Sequence, residues 1–147
     1  KVEGKLLDVG CREGDLYEHI INAEISGKKR FPFVEYTGID IVQHHVDTAR
    51  SKNIPCQLMD LCNLEIKDDT FDIVFSHHSL EHVWDADLAC AEIHRVLKIG
   101  GIFLFIVPLG EKNLSGDIFG CIKNIGFELL YGVIRKRSEA WGIAKKG

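Results

Sequence analysis

The sequence has no apolar run long enough to cross a bilayer; its longest, Gly101 to Leu109, is only strand-length. No secretory signal pattern opens it. It contains no Cys-x-x-Cys pair, and its five cysteines (Cys11, Cys56, Cys62, Cys90, Cys121) are an odd count. Reduced, buried thiols and a cytoplasmic location are therefore expected rather than a disulfide framework. Neither charge dominates: a net charge of -4 and a pI near 6.0 give no electrostatic footprint for nucleic acid or an anionic membrane. Linkers, repeats and low-complexity segments are missing. What remains is an ordinary globular composition, 46% hydrophobic and 27% charged over 147 residues, enough for one domain with one core.

The segment Leu6-Leu7-Asp8-Val9-Gly10-Cys11-Arg12-Glu13-Gly14 reads as a buried strand, a glycine-cornered turn and a helix start. Such a turn brings a ligand close to backbone, and the helix start offers unpaired N–H groups. Asp15 to Ala23 has helical spacing. Ser26 to Arg30 is a polar connector, and Pro32 stops any helix there. Val34 to Ile41, Cys56 to Met59, Phe71 to Ser76 and Ile102 to Val107 read as further strands. Gln43 to Lys52, Asp85 to Lys98 and Asp117 to Asn124 read as helices, with Gly100 expected to end the second. Phe127 to Arg135 and Ala140 to Ala144 suggest an antiparallel hairpin around Lys136-Arg137-Ser138-Glu139. Alternating strands and helices predict an α/β fold, a doubly wound Rossmann-like sheet covered by helices on both faces. Ligands bind such sheets beyond the carboxyl ends of the strands. Asp40 and Asp60, ending the second and third strands, fall at the same sheet edge as the glycine turn. One carboxylate suits ribose hydroxyls and the other an exocyclic amine.

In family order, LLDVGCREG, TGIDI, MDL, TFDIVFSHHSLEHV, HRVLKIGGIFLFIVP and GFELL cover nearly the whole chain. In these motifs it resembles a class I S-adenosylmethionine-dependent methyltransferase of the compact methyltransferase-11-like type. The resemblance implies a mostly parallel seven-stranded sheet whose last strand is antiparallel, with S-adenosyl-L-methionine as cofactor. It implies that Asp8, Gly10 and Gly14 hold the methionine end and that Asp40 binds the ribose hydroxyls. Ile41 would pack on the adenine face, Asp60 would take the adenine amino group, and the Leu61 backbone would meet the ring. Ser76 and His77, placed just past the fourth strand, would border the transferable methyl group. Arg12 stands where the family usually has glycine. The first strand starts almost at the first residue, so the N-terminal cap helix is expected to be absent or truncated in a single domain spanning 1–147. That leaves the site more open, or completed by a missing segment or a homodimer partner.

The acceptor-side candidates are His77 and His78, from their place after the fourth strand. A histidine can remove a proton from a hydroxyl acceptor. The amine-methylating motif Asn-Pro-Pro-Tyr has Ser76-His77-His78-Ser79 in its place, and a small-molecule acceptor is expected. Three alternatives compete. A nicotinamide-dependent oxidoreductase needs Gly-x-Gly-x-x-Gly, but Arg12 occupies its middle. His78-Ser79-Leu80-Glu81-His82 matches an inverted zinc-protease pattern, which requires a helix, so no metal is expected. A non-catalytic binding module on the same fold is the third. His44 and His45 are expected on a solvated helix face, and Trp84 and Trp141 as packing residues.

Overall fold

The computed structural model describes residues 4–25, 35–109, 117–135 and 138–147. Strands β1 (Lys5–Val9), β2 (Glu35–Asp40), β3 (Cys56–Leu58), β4 (Phe71–His77), β5 (Leu97–Pro108), β6 (Phe127–Arg135) and β7 (Glu139–Lys146) form one sheet in the order β3-β2-β1-β4-β5-β7-β6. β3, β2, β1, β4 and β5 pair in parallel. β7 inserts antiparallel between β5 and β6. The expected α/β architecture and antiparallel last strand are therefore present.

Alternation along β1 explains the layers. Leu6 faces a cluster with Ile20 of α1 (Asp15–Ile25) and with Val46 and Ala49 of α2 (Gln43–Ser51). Leu7 and Val9 face the opposite cluster, with Ile93 of α3 (Ala86–Val96) and Ile122 of α4 (Ile118–Ile125). A strand covered on both sides must be apolar at both parities. Asp85 caps α3 by accepting from the Leu88 N–H, and Asp117 caps α4 by accepting from Gly120.

Two of the boundary differences bear on the site and the sheet beside it. α3 ends at Val96 because Leu97 is already extended, fully buried and paired with Phe71. Gly100 (φ +79°) therefore lies in the irregular stretch where the β4–β5 register shifts, not at a helix end. β4 runs on through His77, so Ser76 and His77 are strand residues. The Ser26–Arg30 connector, Pro32 and the Lys136-Arg137 part of the hairpin turn lie outside the described residues. Among the described residues no helix is long and apolar enough to cross a membrane.

Candidate functional site

The carboxyl ends of β1, β2, β3 and β4 open on one cleft of about 680 Å³, within the usual range for a small-molecule site. Its floor is the turn after β1. Gly10 (φ +70°) and Cys11 both donate to the Ile39 carbonyl, at 2.8 and 3.0 Å. A Cβ on Gly10 would collide with Ser79 Oγ, which donates to the Val9 carbonyl at 2.9 Å. Arg12 has φ +51°, the left-handed region, which is the physical reason a glycine suits that position. Its backbone N–H donates to Asp40 Oδ2 at 2.9 Å. Gly14 (φ +93°) does not line the cleft; its missing Cβ makes room for Ile54.

Three acids line this cleft at successive strand ends. Asp8, nearly buried, accepts from the Tyr36 hydroxyl at 2.7 Å. Burial pushes its pKa up to about 6, the Tyr36 bond pulls the other way, and Asp15 and Asp40 add negative potential. Asp40 Oδ1 accepts from Val42 N–H at 2.9 Å and lies 3.2 Å from His45 Nδ1. A carboxylate offers about four lone-pair positions, so with these three partners among the described residues Asp40 retains one. Asp60 Oδ1 accepts from Cys62 N–H at 2.8 Å, whereas among the described residues its Oδ2 has only the Trp84 indole, at a long 3.4 Å. Asp40 and Asp60 thus share one space.

A methyltransferase-domain family model matches residues 7–105. The chain belongs to the class I S-adenosylmethionine-dependent methyltransferases. Among similar proteins, an S-adenosyl-L-methionine-dependent Diels-Alderase of Talaromyces variabilis is 30% identical over 77% of this chain and 39% of its own length. A ubiquinone/menaquinone biosynthesis C-methyltransferase of Campylobacter jejuni is 27% identical over 96% of this chain and 61% of its own. The chain thus spans about two fifths to three fifths of these relatives. The crystal structure of the [4+2]-cyclase SpnF superposes with a TM-score of 0.80 over 98% of this chain and 75% of that one, at 20% identity.

In this methyltransferase domain the remaining expected site residues divide. Ile41, Leu61, His77 and His78 line the cleft. Ser76 does not: it is fully buried, in register with Val9 and Phe105, and its Oγ has no partner among the described residues. Phe75 and His77 take the cleft-facing parity instead. The zinc-protease pattern fails on geometry. His78 (φ +52°) sits in a turn, its Nε2 is 2.9 Å from Glu139 Oε1, and only Leu80–His82 forms a single 3₁₀ turn. Among the described residues no three His, Cys, Asp or Glu side chains gather as a metal set.

Four residues escaped the sequence reading. His45 is no bystander on a solvated face, since it faces Asp40 across the first turn of α2. Trp84 is not packed; it is 70% exposed and walls the cleft. Ser79 ties the β4 loop to β1. Glu139, on β7, also accepts from the Trp141 indole at 3.1 Å, and these bonds hold its pKa below the usual carboxylate value. Helical phase along α2 puts His45 one turn on from Val42 and one turn before Ala49, a signal that finds it; nothing local to Glu139 does the same.

Proposed function

We propose that this domain binds S-adenosylmethionine across the ends of β1, β2 and β3 and methylates a small acceptor entering beside His77. The convergence of Asp8, Asp40 and Asp60 on one cleft carries this reading. The residues fit the group: all three acids line the cleft, and the exposed Ile41 side chain offers an apolar wall. When bound, the cofactor supplies a methyl group already activated on a cationic sulfur.

The protein's share is alignment and electrostatics, where holding two reactants in line supplies several kcal/mol. Asp8 and the Gly10 turn hold the methionine end, with Asp8 facing its ammonium. Asp40 accepts from the ribose hydroxyls as His45 swings aside. Asp60 Oδ2 accepts from the adenine amine, and the Leu61 backbone meets the ring. Gly14 supports the turn through its packing on Ile54, and Ser76 acts only from beneath the site. His77, at the last position of β4, faces the acceptor and takes its proton if the acceptor is a hydroxyl. His78, held by Glu139, borders the same side.

The test is calorimetric titration with S-adenosylhomocysteine, then transfer of labelled methyl to panels of phenols, amines and carbon acids. Absence of binding at millimolar concentration refutes the reading. A second reading, in which the domain binds the cofactor without donating its methyl, draws on the Diels-Alderase relative and the cyclase neighbour. Binding without transfer to any panel member favours that one.

A further inference from the structure

We propose that Trp84 is the movable half of a base clamp, stacking a purine against Ile41 while Asp60 reads the exocyclic amine. This rests on the nucleoside reading of the cleft and adds the wall that makes it selective. Trp84 follows the loop after β4, yet its Nε1 lies 3.4 Å from Asp60 Oδ2 near the end of β3. β1 and β2 stand between those strands, a span of roughly 14 Å at ordinary strand spacing. The chain therefore doubles back along the strand ends to put an indole there.

Its neighbour is pinned twice. The Asp85 carbonyl accepts from Cys62 Sγ at 3.3 Å, and the Asp85 carboxylate caps α3. This fixes the root of residue 84 beside the Asp60–Cys62 turn and leaves the side chain to swing. The indole is 70% exposed and Ile41 is 66% exposed. An aromatic ring left in water forgoes the burial that makes such residues valuable. Here two exposed apolar side chains line one cleft together with Asp60, whose Oδ2 has a single, long bond among the described residues. A flat heteroaromatic ring carrying an amine satisfies all three groups together. The amine displaces the indole N–H from Asp60 at little cost, and the freed indole settles on the ring.

The experiment uses the two-tryptophan chain with Trp141→Phe, which leaves Trp84 as its sole indole. S-adenosylhomocysteine, adenosine and L-homocysteine are titrated by fluorescence and, in parallel, by calorimetry. Trp84 emission is expected to fall at least twofold with the first two and to stay unchanged with L-homocysteine. Trp84→Ala is expected to weaken S-adenosylhomocysteine about tenfold and Trp84→Phe to recover most of that loss, as base–aromatic stacking requires. Calorimetric saturation with unchanged emission, or Trp84→Ala binding like the parent, overturns the clamp and leaves the nucleoside reading standing. No calorimetric binding by the parent chain overturns both.

Discussion

Asp8→Asn separates what the fold wants from what the site wants. The buried Asp8 carboxyl has its pKa raised from 3.8 to about 6, with burial the largest cause. Because the folded value lies above the unfolded one, the group's contribution is fully present below about pH 3.8 and is lost as pH rises through about 6. Above that, the ionised carboxylate costs the native state about 3 kcal/mol, from roughly two pKa units at 1.36 kcal/mol each. Asparagine keeps the shape, still accepts from the Tyr36 hydroxyl and carries no charge. Allowing about 1–2 kcal/mol for its unpartnered amide, the variant should gain about 1–2 kcal/mol at pH 7.5, or roughly 2–8 °C in Tm for a chain of this size. Urea unfolding at pH 7.5, 5 and 3.5 measures it, and the gain should shrink to nothing at the lowest value. S-adenosylhomocysteine affinity should fall at least tenfold at pH 7.5, because the ligand's ammonium loses its counter-charge. A variant no more stable than the parent at pH 7.5, or one whose gain ignores pH, refutes the electrostatic account of Asp8.

Other substitutions probe the remaining contacts. Gly10→Ala should lower stability by about 1–2 kcal/mol from the left-handed backbone alone, and the collision with Ser79 should abolish detectable S-adenosylhomocysteine binding; thermal melts and calorimetry report both. Arg12→Gly should leave the Asp40 contact intact, since the backbone N–H makes it, and raise stability by up to about 1 kcal/mol; a loss of ligand affinity above threefold would contradict this. His77→Ala should cut methyl transfer at least tenfold to any hydroxyl acceptor found by screening while cofactor binding survives, and unchanged turnover removes His77 from the mechanism. Glu139→Gln should leave Tm and cofactor affinity unaltered but change the His78 ring-nitrogen tautomer balance seen by NMR; an identical nitrogen spectrum argues against the Glu139 contact.

The strand-end acids were legible because each follows a short apolar run, and period-two strands make their last polar residue conspicuous. The glycine turn was legible for the same reason, and Arg12 gains meaning only from its left-handed backbone. Ser76 was misplaced by strand parity: a boundary one residue longer turns its side chain under the sheet and hands the cleft to His77. His45 depended on helix phase, and Trp84 on a loop path that no periodicity describes. Glu139 lies 61 residues from His78, and only the closure of β7 against β5 brings them together. Gly100 looked like a helix end because a left-handed glycine serves equally well in a strand irregularity.

The position of β7 has a cost during synthesis. It is later in sequence than both strands it separates, so β6 emerges first while the apolar β5, Ile102 to Val107 included, still lacks its antiparallel neighbour. An open rim of that kind invites pairing with other chains. The nascent polypeptide is thus most prone to clumping in the interval before Glu139–Lys146 slots in, and helpers that shield growing chains would matter most then.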